Sequence, residues 1–255
     1  MELYHNDMSV CAQKVRLVLA EKNLAPILHH LDLRAGDAHT PEYLKLNPNG
    51  VVPTLIDHGK PIIESTIICE YLEDAYPAVS LRPADPYHRS QMRLWTMRPD
   101  AGMHRACGMT SFAIAFRHQA PERQLAAMKD PVRRQGMEAL VREGLDLPGI
   151  EQPVRQFAAL IDDVAVALRE RPWLAGPTYS LADAAMLPYV LRLDHLQLGW
   201  LWREQPDRGQ VGDWLDRCVA RDNFTGISAY LSPQYLATMA EHGRLQHDRV
   251  VAILS

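Results

Sequence analysis

The sequence is poor in cysteine and has no excess of positive charge. Four cysteines, at positions 11, 69, 107 and 218, are spread over 255 residues. They form no CxxC pair and no metal-ligand cluster, which argues against a disulfide framework or a zinc module and points to free thiols in a reducing cytosol. Lys and Arg number 27 against 31 Asp and Glu, a formal net charge of −4, so the basic footprint of a general nucleic-acid binder is missing. No apolar run approaches the ~20 residues that span a bilayer. The first residues show no basic region followed by an apolar stretch, so no secretory signal is expected. Eleven histidines occur without an H-x-x-x-H or H-E-x-x-H spacing, and no metal site is expected. Internal repeats and low-complexity segments are also lacking. What remains, 47% hydrophobic and 23% charged residues, is ordinary globular composition, at a length that suits one large or two small domains.

Periodicity divides the chain in two. Leu3-Tyr4-His5 reads as a short buried strand, and Cys11 to Lys22 as a helix, with Val15, Val18 and Leu19 at helical spacing. Ile27, His29, Leu31 and Leu33 share one face of an extended run. Pro41 to Leu46 makes a helical turn before the loop signal Asn47-Pro48-Asn49-Gly50. Val51 to Ile56 is strand-like, Asp57 to Lys60 a hairpin turn, and Pro61 to Ile63 the returning strand, followed by a helix from about Ser65. The order is β-α-β-α-β-β-α over residues 1–76. A proline-containing linker covers 77–85. Residues 86–255 carry no convincing strand and predict an all-α domain. Asp85-Pro86 is a helix start, and helical stretches are expected at 86–118, 131–144, 151–169, 181–198 and 211–221. Pro99 should kink the first of them. Ser180-Leu181-Ala182-Asp183 reads as a structural capping box. The tail after Phe224 is weakly patterned.

This layout and four of its motifs resemble the cytosolic glutathione transferases, nearest to the serine-motif bacterial members of the zeta-like and β-etherase-related groups. The motifs are Ser9-Val10-Cys11 before the first helix, Asn47 to Pro53 ending in Val52-Pro53, Glu64 to Leu72, and Ser180 to Asp183. The resemblance implies a thioredoxin-like α/β N-terminal domain and an all-helical C-terminal domain. Val51 departs from it, standing where many relatives carry Gln, and Asn223-Phe224 replaces a common Pro-containing ending.

The implied activity is transfer of glutathione, a co-substrate, to an electrophilic and aromatic small molecule, with a β-aryl ether as one candidate class. A thiolate is the competent nucleophile, and a hydroxyl donor together with the partial positive charge of a helix N-terminus favours it over the thiol. Ser9 lies where both devices coincide. Its competing role is a plain helix cap. Cys11 sits at the same helix end and resembles the cysteine of reductive dehalogenases in this superfamily, which forms a mixed disulfide with glutathione. It also reads as a small buried hydrophobe. Val52 and Pro53, with a cis bond implied by the resemblance, would pair with the cysteinyl backbone of glutathione in the manner of an added strand. Ser65 and its helix N-terminus would take the γ-glutamyl carboxylate, and Glu64 the ammonium. His39 falls near the position of a glycyl-carboxylate ligand, though the spacing from Gly36 is shifted by one and an uninvolved surface histidine is an equal reading. Asp100 could reach a neighbouring subunit's glutathione, as acids on this helix do in some relatives, or stand as an ordinary solvated acid.

Met103, His104, Cys107 and Phe112 lie on the first long C-terminal helix and suit the wall of an electrophile pocket, or plain core. Two other functions compete: a glutathione-dependent thiol reductase or reductive dehalogenase working through Cys11, and a non-catalytic glutathione-binding protein. The resemblance further implies a cytoplasmic homodimer. Its candidate patch is the hairpin Ile56 to Ile63, the helix from Ser65 and the helix bearing Trp95 and Met97, with Arg89, Arg93 and Arg98 nearby.

Overall fold

The computed structural model describes residues 1–119, 121–128 and 130–255. Its N-terminal part runs β1 (Glu2–His5), α1 (Val10–Glu21), β2 (Ile27–His30), α2 (Pro41–Leu46), β3 (Thr54–Asp57), β4 (Lys60–Ile63) and α3 (Ser65–Ala75). This is the thioredoxin-like β-α-β-α-β-β-α order. The four strands form one mixed sheet, β2-β1-β3-β4. β1 and β2 are parallel, with Leu3 opposite Leu28. β3 is antiparallel to both β1 and β4, with Leu55 opposite Leu3 and Ile62. Leu3 and Leu55 are fully buried in the core they share with Val15 and Val18 of α1 and Ile68 and Leu72 of α3. Pro61 is confined to the edge strand β4, where its missing N–H leaves no gap in a ladder.

Two strands are shorter than the sequence suggests. β2 stops at His30, where Asn6 reaches across to take the Leu31 carbonyl with its side-chain amide at 3.0 Å. Pairing on β3 begins only at Thr54, because Val51 to Pro53 form a loop in which the Val52–Pro53 peptide is cis. The Val51 carbonyl is held off the sheet by the Tyr43 hydroxyl at 2.7 Å and the Asn47 amide at 2.9 Å.

The C-terminal part is all helical. α4 (Pro86–Met97) begins on the Asp85 cap, whose carboxylate accepts from the His88 N–H at 2.9 Å. The kink expected at Pro99 is a full break. Residues Pro99–Met103 form a π-turn in which Gly102 takes φ 111°, a left-handed conformation open to glycine, and α5 (His104–Ile114) restarts beyond it. α6 (Pro121–Ala127), α7 (Pro131–Glu143) and α8 (Glu151–Leu168) follow, with α8 packed on α5. α9 (Leu181–His195) is buried along nearly its whole length and lies against α1 and α4. It starts on the capping box: Ser180 donates its N–H to Asp183 at 3.0 Å, and its hydroxyl accepts from the backbone in return.

After α10 (Trp200–Arg203) and α11 (Gly209–Val219), the tail forms α12 (Thr225–Ser228), α13 (Pro233–Leu245) and α14 (His247–Leu254). The weak patterning past Phe224 therefore hides two regular helices. Each anchors through few residues, Met239 on α13 and Val250 and Ile253 on α14, so the apolar stripe is too thin to read. Among the described residues, no helix is long and apolar enough to cross a membrane, and no three His, Cys, Asp or Glu side chains converge as a metal site would require.

Candidate active site

The site is built on the loop between β1 and α1. Two arginines, buried to within a few per cent of their surface, hold that loop from behind. Arg16, one turn into α1, donates to the carbonyls of Asn6 (3.2 Å) and Asp7 (2.9 Å), and its Nε donates to Gly226 O at 2.8 Å. Arg192, from α9, donates to Met8 O at 2.6 Å and to Ser111 Oγ at 3.3 Å. A third buried cation, Lys14, donates only to Thr66 Oγ1, at 2.9 Å. Among the described residues, none of the three has a carboxylate within ion-pair distance. Burial pushes the Arg16 guanidinium down to about 10 and lowers that of Arg192, and a guanidinium stays protonated in proteins. A buried cation with neutral partners is costly. Two of them hold the loop and the third, Lys14, stands about one turn past Cys11 on the same helix, so the start of α1 favours an anion.

Ser9 is the N-cap of α1, its Oγ accepting from the Ala12 N–H at 3.3 Å. That bond uses a lone pair and leaves the hydroxyl proton free to be donated. Cys11, half-buried, turns toward the C-terminal domain. Its Sγ lies 3.5 Å from His104 Nδ1 and 4.0 Å from the Tyr189 hydroxyl. Burial raises the Cys11 thiol, but the His104 imidazole, the Lys14 ammonium and the Ser65 hydroxyl outweigh it and bring the pKa down to about 7. The bond to Cys11 raises His104. The other three thiols are buried, and burial raises them to about 12 (Cys69), about 11 (Cys107) and beyond that range (Cys218). Only Cys11 is poised to ionise near neutrality.

Across the loop, Glu64 precedes α3 with φ 65°, a left-handed backbone unusual for a side-chain-bearing residue and typical of functional sites. The bend turns the N-terminus of α3, with buried Ser65, toward the cis-proline loop. Glu64 Oε1 accepts from Asn49 Nδ2 at 3.1 Å, which ties the two loops together. Val52 is buried beside them. His39 closes the far side. Its ring lies so near Gly50 that a Cβ there would sit 2.5 Å from Nδ1, and Gly50 has φ 62°. His39 is thus packed on the loop that carries Val52 and Pro53.

The structure divides the expected electrophile wall. Phe112 is half-buried and meets Phe116 edge-on at 5.6 Å, Phe116 meets Tyr235 at 5.9 Å, and Arg34 lies over Tyr235 at 5.0 Å. Met103 and Cys107 instead turn into the core and are buried. His104 faces Cys11. Asp100 is exposed in the π-turn. Trp95 is buried in its own domain with Arg98 stacked over it at 4.3 Å, whereas Leu94 and Met97 beside it are exposed.

Sequence reasoning missed Lys14, Arg16, Arg192, Tyr189 and Asn49. Arg192 carried a signal, since it stands alone between Leu191 and Leu193 on an apolar helix. Tyr189 carried none, because a tyrosine in a core helix reads as packing.

The comparisons with known proteins agree with this geometry. Residues 8–75 match the family model described as glutathione S-transferase, N-terminal domain. Protein LigF of Sphingobium sp. strain SYK-6 is 29% identical over 192 residues, 72% of this chain and 75% of that protein. The crystal structure of that protein, described as beta-etherase LigF, superposes with a TM-score of 0.74 at 28% identity, covering 90% of this chain and 97% of that one. The probable glutathione S-transferase parC of Nicotiana tabacum is 26% identical over 84% of this chain and 83% of its own. Glutathione transferase F7 of Populus trichocarpa superposes with a TM-score of 0.70 at 25% identity, over 91% of this chain and 99% of that one. With its fold, its helix-start serine and its cis-proline loop, the chain belongs to the glutathione transferase superfamily.

Proposed function

We propose that the protein binds glutathione in the cleft between the Ser9, Val52-Pro53 and Glu64-Ser65 segments and transfers it to an aromatic electrophile. The carrying observation is the set of buried cations with only neutral partners at the start of α1: Arg16 and Arg192, which hold the loop that ends in Ser9, and Lys14, about one turn past Cys11. Glutathione brings the negative charge they lack, as a thiolate and two carboxylates. In this reading Ser9 Oγ donates its free proton to the sulfur, and the α1 N-terminus adds its partial charge. Val52 offers its backbone, Ser65 with the α3 N-terminus takes the γ-glutamyl carboxylate, Glu64 takes the ammonium, and His39 reaches for the glycyl end. Phe112, with Phe116 and Tyr235, supplies an aromatic wall, and His104 borders it. That wall, together with the likeness to a protein described as a beta-etherase, favours aryl ethers as the substrate class.

A twofold homodimer in the cytoplasm completes the reading. Exposed Ile67, Tyr87, Leu94 and Met97 on α3 and α4 support the dimer; buried Trp95 is not part of the patch. Asp100 would then lie toward the partner's site. Light scattering at micromolar concentration tests it, and a mass that stays at 28.8 kDa overturns it.

The function itself is tested by Ser9→Ala. A hydrogen bond to a charged acceptor is worth about 1.5–3 kcal/mol, roughly a ten- to hundredfold loss in rate. Turnover of glutathione with a chloronitrobenzene at neutral pH should fall by that factor, while calorimetric glutathione affinity changes little. An unchanged pH–rate profile refutes the role of Ser9. Glutathione binding without turnover of any chloronitrobenzene, disulfide or aryl ether would instead mark a binding protein.

A further inference from the structure

We propose that Arg34 and Gln119 form an anion-recognising end of the electrophile pocket, so that the preferred aromatic electrophile carries a carboxylate on its ring. The proposal rests on the transferase reading and deepens it, because it names the class of aromatic substrate that the site selects.

The β2–α2 loop places the arginine. Asp32 Oδ1 accepts from the backbone N–H groups of Arg34 at 2.9 Å and Ala35 at 3.1 Å, and Asp37 Oδ2 accepts from the Asp32 N–H at 2.8 Å. These side chain-to-backbone bonds hold the loop in place of a regular ladder. The Arg34 side chain then reaches across to the C-terminal domain. Its Nη1 donates to Gln119 O and its Nη2 to Gln119 Oε1, the latter at 2.8 Å. Its guanidinium lies 5.0 Å from the centroid of the Tyr235 ring and 6.0 Å from that of Phe116. Tyr235 stands on α13, and Phe116 and Gln119 follow α5, so three separate segments meet at this cation.

Both groups remain short of partners. A guanidinium has five N–H donors, and Gln119 takes two of them. Among the described residues, no carboxylate lies within ion-pair distance of Arg34; Asp32, two positions away, has its Oδ2 3.6 Å from Arg123 instead. Burial lowers the pKa of the Arg34 guanidinium, as expected of a cation withdrawn from water among rings and an amide. Gln119 turns its carbonyl oxygen to Arg34, and its Nε2 is buried with no hydrogen-bond partner among the described residues. An uncompensated cation beside an orphaned donor calls for a charged acceptor, and a carboxylate with two oxygens serves both.

The position makes that acceptor part of the electrophile. Phe116 also meets Arg192, whose guanidinium is 5.0 Å from its centroid and which donates to Met8 O beside Ser9. Arg34 is thus one aromatic ring removed from the group that holds the Ser9 loop. An aryl ring lying along Phe112, Phe116 and Tyr235 would turn its reacting carbon toward Ser9 and an acidic substituent toward Arg34. The glycyl carboxylate of glutathione is the other source of this chemistry. Among the described residues, every hydrogen-bond and ring contact of the Arg34 side chain is to the C-terminal domain, whereas His39 packs on the cis-proline loop, and this favours the electrophile.

The test uses the full-length protein as wild type, Arg34→Met and Arg34→Lys, with a chloronitrobenzoate and the matching neutral chloronitrobenzamide. In both, the glutathione thiolate attacks the chlorine-bearing carbon and chloride leaves with the electron pair, so the two electrophiles differ chiefly in charge. For each, kcat/KM is divided by the uncatalysed rate with glutathione, KM for glutathione is measured alongside, and circular dichroism checks folding. Calorimetry on the two S-aryl glutathione conjugates reads the same preference without turnover. Wild type should favour the benzoate by about tenfold, as one hydrogen bond between charged groups provides, and high salt should shrink that preference. R34M should erase it with KM for glutathione unchanged, and R34K, which keeps the charge but not the fork, should retain part of it. Equal treatment of the two electrophiles and of their conjugates by wild type overturns the proposal, whatever the variants do. An R34M protein that keeps the preference, or that raises KM for glutathione with both electrophiles alike, also overturns it, the latter by assigning Arg34 to the glycyl carboxylate. Absence of glutathione binding in wild type overturns the underlying transferase reading instead.

Discussion

Replacing Lys14 with methionine should make the protein more stable and its Cys11 thiol less reactive. Lys14 is 1% exposed, and its ammonium has one partner, the Thr66 hydroxyl at 2.9 Å. Withdrawing an ammonium from water costs several kcal/mol even after relaxation, and a charge-assisted bond to a neutral acceptor returns only about 1.5–3 kcal/mol. Methionine fills a similar volume with no charge to desolvate, and Thr66 is only half-buried, so its hydroxyl can turn to water. The balance predicts a gain of about 1–3 kcal/mol. For a chain of this size each kcal/mol moves Tm by roughly 2–4 °C, so K14M should melt about 2–12 °C higher in a calorimetric scan. The same ammonium helps hold the Cys11 thiol down at about 7. Its loss should raise the alkylation midpoint of Cys11 and weaken glutathione binding. Opposite signs for stability and site function are the diagnostic. A variant that melts lower and leaves the thiol midpoint and glutathione affinity untouched would refute the idea that this cation is kept for an anion.

Other substitutions test the frame around the site. Asp183 is fully buried and accepts from the Leu174 and Ser180 N–H groups at 3.0 Å and from Trp214 Nε1 at 2.9 Å. Asp183→Asn turns an amide toward these donors and should cost about 3 kcal/mol, a fall in Tm of roughly 6–12 °C. Burial, against those hydrogen bonds, raises the Asp183 carboxyl from 3.8 to about 6; the stability it confers is complete below the unfolded value and is lost as pH rises through 6. The gap between wild type and D183N in urea unfolding should therefore narrow from pH 4 to pH 7. A Cβ at Gly226 would sit 2.7 Å from the Arg16 carbonyl oxygen. Gly226→Ala should push α12 off α1 and destabilise by about 1–3 kcal/mol; an unchanged Tm would mean that the contact yields without cost. Gly50→Ala meets His39 at 2.5 Å from a backbone at φ 62°, and should raise KM for glutathione more than it lowers kcat in a steady-state assay.

The strand and helix order of the N-terminal domain was legible because its signals are local. Asn47 to Gly50 marks a loop, Asp57 to Lys60 a hairpin turn, and Ile68, Tyr71 and Leu72 at helical spacing one face of a helix. The cis Val52–Pro53 bond was legible only through resemblance, since nothing in the dipeptide itself fixes its peptide geometry. The buried cations were not legible. Lys14 and Arg16 flank Val15 on a helix whose spacing reads as amphipathic, and basic residues there are normally placed in solvent. They are buried because α9, α3 and α12 cover the faces of α1 that the sheet leaves free, a fact of tertiary packing that no window along α1 contains. His104 reads in sequence as part of an electrophile wall, whereas in the structure it faces Cys11. Its partner lies 93 positions earlier, and the π-turn that starts α5 beside Cys11 reads in sequence only as a proline kink.

A common logic links these buried groups. The β1–α1 loop presents the carbonyls of Asn6, Asp7 and Met8 to guanidinium groups, and two of the anchors come from the C-terminal domain: Arg192 itself, and Gly226, whose carbonyl orients Arg16. The same domain supplies His104 and Tyr189 to Cys11. The thioredoxin-like unit thus carries Ser9 and Cys11, and the helical domain adds hydrogen bonds and charge to them by packing on α1. Loosening that packing would expose the buried cations to water, remove their need for an anion and return Cys11 to an ordinary thiol. On the proposed reading, anion affinity, thiol reactivity and docking of the two domains are one coupled property: an anion bound there would offset the charge buried at their interface, and in doing so would stabilise the arrangement that lowers the thiol pKa.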